Sequence, residues 1–396
     1  MKPPRPLFRL CLLVCIVTAS AASALAGDSS WKPVDPAHLA MKSPVVDPDA
    51  DAEAIFWEVR VSHEASGGEP GTQLDHYIRI KVFTERGRES QSRIDIPFAK
   101  LFGRETRIKD IAARTIRPDG TVVELKKEDI FEREIVKASG LKIKAKTFAM
   151  PAVEPGAIIE YRWRESRGDA VAQYERFEFS RDIPVQLVKY SVKPSNDFVL
   201  GMRIQVFQGE PTPFKKESGF YSTTMSNVPA FREEPRMPPE WAVRPWMLVF
   251  YAEDRKLTPD KFWAQYGKEQ YEIHKGMMKV NDEIKSAAAE AVAGATTDEE
   301  KLDRIFNYVR SKVRKTDDDA SGFTRTQLEK MKENKTPADT LKRGVGDWHD
   351  IDMLFAAMAT AAGYEARVAK LTDRSDTFFD PSFTDEYFMR YGGTEN

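Results

Sequence analysis

The segment Thr340-Leu-Lys-Arg-Gly-Val-Gly-Asp-Trp-His-Asp350 carries the clearest structural signal in this chain. Gly344 and Gly346 interrupt regular structure, and Asp347 is a residue type that caps the start of a helix. Apolar residues then recur at the spacing of one buried helical face, namely Ile351, Leu354, Phe355 and Met358. The segment therefore predicts a loop followed by a buried helix.

The residues after this helix predict a strand. Gly363 is placed to end the helix. The run from Glu365 to Leu371 alternates polar and apolar residues, as a half-buried strand does. Residues 340–371 are thus expected to fold as loop, interior helix and sheet strand.

This order of motifs resembles the transglutaminase-like proteins, which belong to the papain-type class of cysteine enzymes. In that family a Gly-Asp-Cys sequence places the nucleophile on the first turn of a buried helix, where the helix dipole lowers the pKa of the thiol. The matching residues here are Gly346, Asp347 and Trp348. Because an indole has no comparable nucleophilic atom, the resemblance implies the family's fold with a degenerate nucleophile position at Trp348.

His349 and Asp350 are the candidate catalytic residues beside that position. The interpretation that we favour is that they are polar residues on the first turn of a capped helix, where Asp350 also complements the helix dipole. We interpret Trp348 as a core or pocket-lining aromatic residue; beside an open cleft it would instead plug the cleft or offer a stacking face to a sugar or peptide.

The resemblance also implies a base and an acid on later strands of the domain. The chain has no histidine after His349, so the family's base has no candidate at its expected place. We therefore expect an incomplete transglutaminase-like domain whose sheet has an uncompleted edge.

The first 26 residues have the pattern of an export signal. Lys2, Arg5 and Arg9 provide a basic start, an apolar run follows, and Ala24-Leu25-Ala26 is a small-residue cleavage pattern. Both cysteines of the chain, Cys11 and Cys15, lie in this segment. We therefore expect a periplasmic or extracellular protein, cleaved near Ala26, that has no thiol for a disulfide, a zinc site or a nucleophile. An uncleaved membrane anchor is the alternative.

Composition limits the classes of partner. The formal net charge is −2 with 31% charged residues, which argues against a nucleic-acid binder and a strongly basic membrane-surface protein. After the signal, no stretch is apolar for long enough to cross a membrane. The expected partner is an envelope protein, peptide or glycan.

No cofactor or metal site is predicted. The histidines are scattered at positions His38, His63, His76, His274 and His349. Asp373, Asp376 and Asp380 approach a carboxylate cluster, but no calcium loop with its glycine surrounds them. The chain also has no phosphate-binding glycine loop and no Gly-x-Ser-x-Gly elbow.

The first half of the chain predicts a β domain. Alternating runs such as 77–83 and 186–192 are joined by turns, among them Pro118-Asp119-Gly120 and Pro155-Gly156. These two turns, in this order over about 54–239, resemble the bacterial domain of unknown function that precedes transglutaminase-like domains. The absence of a long helical period favours an antiparallel β-sandwich.

The predicted organisation is α+β with an N-terminal antiparallel β-sandwich and an incomplete transglutaminase-like, papain-type domain. Its segments are a signal peptide (1–26), a leader or linker (27–50), the β-sandwich (51–240), a connector (241–257) and the transglutaminase-like domain (258–396).

The predicted function is that of an exported, non-catalytic binding or scaffolding protein of the cell envelope. The alternative is a cysteine-independent hydrolase or transferase that acts on envelope peptide or glycan, using His349 and Asp350 with Asp373 or Asp380. A damaged remnant of a longer enzyme is a third interpretation.

Overall fold

The computed structural model describes residues 31–391, except 67–68, 102–103, 139–140, 169–173, 195–200, 253–256, 318–321 and 376. The predicted export signal lies outside the described residues, and so does Gly67-Gly68, a residue pair that predicts a turn. Strands dominate up to residue 252 and helices dominate after it, which confirms the predicted α+β class. Among the described residues, no helix is both long and apolar enough to cross a membrane.

The first part of the chain contains fourteen described strands and two short helices. The strands are β1 (Ala52–Ser66), β2 (Glu69–Val82), β3 (Arg93–Leu101), β4 (Arg104–Ile116), β5 (Val122–Glu124), β6 (Phe131–Ala138), β7 (Leu141–Ala149), β8 (Ile158–Gly168), β9 (Tyr174–Glu178), β10 (Val185–Lys193), β11 (Gly201–Phe207), β12 (Lys215–Glu217), β13 (Phe220–Val228) and β14 (Trp246–Ala252). The helices are α1 (Pro36–Ala40) and α2 (Glu85–Gln91), with single 3-10 turns at Lys127–Asp129 and Glu240–Ala242.

The second part is mostly helical. Its elements are α3 (Pro259–Met277), α4 (Asp282–Val292), α5 (Asp298–Lys312), β15 (Arg314–Lys315), α6 (Arg325–Lys330), α7 (Pro337–Arg343), β16 (Val345–Gly346), α8 (Trp348–Ala361), β17 (Lys370–Thr372) and β18 (Met389–Tyr391).

Two sheets pack face to face in the first part, as in a sandwich. The larger sheet has eleven strands in the order β12-β13-β10-β1-β2-β8-β4-β3-β7-β6, with β5 paired to β4; the smaller has the order β11-β14-β9. One apolar cluster joins them, because Val59 and Ile78 of the larger sheet lie in the same core as Met247 and Val249 of β14. Among the described strands of the larger sheet, only β1 and β10 pair in parallel.

Two predicted turns are present where glycine was expected to allow them. Gly120 and Gly156 have φ values of 86° and 88°, which only glycine adopts without strain. In the first turn the Asp119 side chain accepts a hydrogen bond from the Thr121 backbone N–H at 2.8 Å. These turns lie directly before β5 and β8.

The described part of the predicted leader packs along the outer face of the larger sheet instead of acting as a free spacer. Arg79 donates to the backbone oxygen of Lys32 at 2.8 Å, and the buried Lys81 donates to that of Leu39 at 2.8 Å. Val34 and Leu39 cover an apolar cluster that contains Phe56. The segment therefore supplies carbonyl groups as hydrogen-bond acceptors for these buried cations, which would be costly to bury without partners.

Glu160 of β8 is the centre of a buried ionic cluster beneath this segment. Its carboxylate is fully buried and accepts hydrogen bonds from Arg79 Nε at 2.7 Å, Arg114 Nε at 2.6 Å and the Tyr77 hydroxyl at 2.8 Å. Burial together with the adjacent Glu160 raises the pKa of Tyr77 to about 12. One carboxylate thus provides the acceptor and the nearest negative charge for two guanidinium groups that have little access to water.

Replacing Glu160 with alanine is expected to lower the free energy of unfolding by about 3 to 5 kcal/mol, because Arg79 and Arg114 would be left buried without their counter-charge. Urea denaturation of the wild type and the variant measures this. Glu154→Ala is the matched control, since the Glu154–Arg117 pair is exposed and should contribute less than about 1 kcal/mol. Equal losses of unfolding free energy in the two variants would contradict the role of Glu160 as the buried counter-charge.

A buried histidine links the two sheets. The Nδ1 atom of His63 on β1 is hydrogen bonded to the hydroxyl of Tyr251 on β14, and the imidazole is 5% exposed. Burial lowers the pKa of His63 to about 4, because a charged imidazolium is poorly solvated there. The unfolded chain therefore takes up a proton near pH 6.5, whereas the folded chain does so only near pH 4.

Stability is accordingly expected to fall as the pH drops from 6.5 to 4, by up to about 3 kcal/mol from His63 alone. Thermal or urea unfolding across this range should show the loss in the wild type and a smaller loss in His63→Gln, which cannot titrate. A His63→Gln variant with an unchanged slope would refute this role.

One helical face of the second part differs from the sequence pattern. The spacing of Phe262, Tyr266 and Ile273 predicts that these residues share one face of a helix. Phe262 is buried, whereas Ile273 is 49% exposed and its neighbour His274 is buried in its place. The His274 ring lies 6.2 Å from that of His349 on α8, so His274 rather than Ile273 faces the start of that helix. The strand predicted over 365–371 is also wrong: only Lys370–Thr372 is a strand, paired with β18, since no strand lies beside residues 365–369.

Candidate functional site

Two glycines bring the chain sharply into α8. Gly344 ends α7 in the left-handed conformation with φ 63°, and the next two residues pair in parallel with β15. A Cβ atom on Gly346 would lie 2.7 Å from the Cβ atom of Asp350. This contact would be too close for any residue with a side chain, so glycine is required for the backbone to pass the first turn of α8.

Asp347 caps α8, as the sequence predicts. Its side chain accepts from the Asp350 backbone N–H at 2.9 Å, and the Asp350 side chain accepts in return from the Asp347 N–H at 3.3 Å. This reciprocal pair is a capping box and satisfies two of the free N–H groups at the helix start. Leu354 and Met358 are fully buried against α4 and α5, so the predicted interior helix is present.

Trp348 is the first residue of α8 and is half-buried. Its ring meets that of His349 edge-on, with 5.6 Å between centroids. The His349 ring in turn lies 6.2 Å from that of His274 on α3. The indole thus lies at the N-terminus of α8, beside the imidazole of His349.

Carboxylates surround this helix start. Burial raises the pKa of Asp350, although Asn334 donates to it at 2.8 Å and opposes the shift. Burial also raises the pKa of Asp352, while His349 and Lys315 partly stabilise its charged form. Such a site would disfavour a neighbouring thiolate and suits a neutral or cationic group better than an anion.

Two family models match this chain. Residues 72–232 match the model of a Domain of Unknown Function, DUF3857, and residues 285–386 match that of the transglutaminase-like superfamily. The chain carries a DUF3857 domain followed by a transglutaminase-like domain. Both resemblances seen in the sequence are thereby confirmed, whereas the exact domain boundaries stay predictions.

Solved structures are only distantly similar. A protein from Parabacteroides distasonis described as a putative protease is 15% identical, with 86% of this chain and 64% of that chain covered at a TM-score of 0.47. Leukotriene A4 hydrolase from Saccharomyces cerevisiae is 7% identical, with 62% and 40% covered at a TM-score of 0.28. This chain therefore spans less than two thirds of either protein. No curated protein matches it.

The aspartates considered for the alternative hydrolase are engaged in local turns of the transglutaminase-like domain. Asp373 Oδ1 accepts from the backbone N–H of Ser375 at 2.8 Å, and Asp380 Oδ1 accepts from that of Ser382 at 2.9 Å. Within the described ranges, no group of three or more potential metal-ligating side chains occurs. The contacts described bring only His349 and Asp350, of the four candidates, to the start of α8.

Three residues of this site were not anticipated from the sequence: His274, Asn334 and Asp352. Asp352 follows His349 by three positions, so helical periodicity alone could have placed both on one face. Asn334 lies in a loop before α7 and His274 on a distant helix, where no local pattern indicates a contact with α8.

Replacing Asp347 with alanine is expected to destabilise the protein by about 1 kcal/mol, because the capping box is lost. Thermal unfolding followed by far-ultraviolet circular dichroism measures this. Asp347→Asn keeps the acceptor oxygen and should lose only a few tenths of a kcal/mol. If both variants are as stable as the wild type, the cap does not hold the start of α8.

Proposed function

We propose that this is an exported protein of the cell envelope that binds or scaffolds and does not catalyse. The observation that carries the proposal is Trp348 at the first position of α8, where the family's mechanism needs a cysteine. The only cysteines, Cys11 and Cys15, lie in the predicted signal. After cleavage near Ala26 no other thiol would be left to take the place of the missing nucleophile.

The electrostatics of the helix start support a non-catalytic role. The Asp350 carboxylate is occupied by Asp347 and Asn334, which hold it as part of the capping box. A group committed to fixing a helix terminus is poorly suited to carry protons during turnover. The half-buried indole of Trp348 offers apolar and aromatic surface of the kind that binding sites use.

One observation favours the alternative of a cysteine-independent hydrolase that acts on envelope peptide or glycan. The His349 imidazole interacts electrostatically with both Asp350 and Asp352, and burial raises the pKa of each of these carboxyls. A histidine beside carboxylates can act as a general base. The two proposals therefore differ in whether this group performs turnover.

The test uses the chain purified after export, with Gly27 expected at its N-terminus by mass spectrometry. We expect no amine incorporation into a glutamine-containing peptide and no peptide hydrolysis above the buffer rate, because the nucleophile is missing. Trp348→Ala, His349→Ala and Asp350→Asn are expected to leave this baseline unchanged, and a thiol-bearing transglutaminase assayed in parallel sets the detection limit.

Turnover by the wild type that is lost in any of these three variants would overturn the non-catalytic proposal and support the hydrolase. An N-terminus that still includes Cys11 and Cys15 would remove the argument from missing thiols. The activity and the mass of the N-terminus are measured on the same purified protein.

A further inference from the structure

A cavity of about 260 Å³ opens between the two sheets of the DUF3857 domain. Trp57 and His76 of β1 and β2, with Trp163 of β8, line one wall, and Glu175 of β9 lines the other. The cavity is apart from the start of α8, because Trp348 and His349 do not line it. The inference below goes beyond the proposed function and holds whether or not the transglutaminase-like domain is catalytic.

Two polar atoms of this wall are buried and have no hydrogen-bond partner among the described residues: Trp163 Nε1 and His76 Nε2. The two rings are cross-strand neighbours and stack in parallel with 4.2 Å between centroids. The closest acid to His76 Nε2 is Glu165, at 3.7 Å, which is too far for a hydrogen bond. Since a buried polar atom left unpaired is costly, this wall is suited to a ligand that hydrogen bonds to it.

The other polar groups supply acceptors. Arg167 joins two carboxylates, donating from Nε to Glu165 at 2.6 Å and from Nη1 to both oxygens of Glu175 at 2.7 Å. Burial raises the pKa of Glu175; burial also opposes ionisation of Glu165, but His76 and Arg167 outweigh it and lower that pKa. Each carboxylate has more lone pairs than the Arg167 guanidinium uses. Glu165 and Glu175 can therefore also accept hydrogen bonds from the hydroxyl groups of a ligand.

The charges that line the cavity cancel. Six charged side chains contribute to the lining, three acidic and three basic: Glu165, Glu175, Glu178, Arg167, Arg176 and Arg181. An anion entering the cavity would meet carboxylates, and a cation would meet guanidinium groups. A neutral molecule whose groups both donate and accept hydrogen bonds avoids both penalties.

The size and the lining of the cavity narrow the class of ligand further. A volume of 260 Å³ is slightly below the range of drug-sized pockets, about 300 to 1,000 Å³, and corresponds to roughly nine water molecules. The half-buried ring of Trp57 adds an aromatic surface to the polar lining, with Arg181 over it at 4.6 Å. A ligand with a compact ring, hydroxyl groups around it and C–H groups on its faces matches this combination of polar and aromatic lining.

We propose that this cavity binds a neutral sugar ring, whose hydroxyl oxygens accept from Trp163 Nε1 and His76 Nε2 and whose hydroxyl protons are donated to Glu165 and Glu175. A metal ion is a poorer occupant, because Arg167 already occupies both carboxylates. The sugar is held by the β domain alone and needs no residue of α8.

The test is saturation-transfer NMR and calorimetry on the full-length exported chain with glucose and N-acetylglucosamine as probes, and with inorganic phosphate as the anionic comparison. At least one sugar is expected to bind saturably, and phosphate is not. Trp163→Phe keeps an aromatic ring, though a smaller one, and removes the N–H; Glu175→Gln keeps the shape but changes the charge and the acceptors. Each should weaken sugar binding about fivefold.

Trp31→Phe is the matched control, since the Trp31 ring lies on the outer face of the same sheet between Arg114 and Arg162. It should bind the sugar as the wild type does. The proposal is overturned if neither sugar binds saturably, if both cavity variants bind with wild-type affinity, or if phosphate binds in preference. Unfolding temperatures of all variants identify any loss that reflects misfolding, and His76→Gln then provides a second cavity variant.

Discussion

The close approach of Gly346 to Asp350 is the constraint on which the helical part of this protein depends. With no Cβ at Gly346, the backbone enters α8 directly from a two-residue strand, and Asp347 and Asp350 can then cap each other. The cap fixes the rotation of α8, and this rotation places Leu354 and Met358 in the core with α4 and α5. The same geometry holds Trp348 at the first position of α8.

Much of this geometry was predictable because it depends on local chemistry. The glycines at 120, 156 and 344 have positive φ, and the sequence marks each as a turn or helix end. The cap at Asp347 is a local feature, because Asp347 and Asp350 are three residues apart and can cap each other. Such features need only a few neighbouring residues, and the strands with clear alternation, such as 77–83 and 186–192, were predictable for the same reason.

What the sequence did not reveal depends on residues far apart in the chain. Ile273 matches the helical period of Phe262, yet Ile273 is exposed and its neighbour His274 is buried, with its ring 6.2 Å from that of His349 on α8. The alternation of residues 365–369 produced no strand, since a strand also needs a partner. The cavity of the DUF3857 domain combines residues of five strands, and no single one of these strands carries a pattern that indicates it.

The parallel pairing of β1 with β10 has a consequence for how this protein folds. Ala54 pairs with Val185, so one side of β1 has no partner until a segment far along the chain has reached it. Contacts between residues so far apart in sequence form slowly. An open strand edge is a template for pairing with other chains. The β domain in which β10 has not yet paired, rather than the finished protein, is therefore the form most exposed to aggregation.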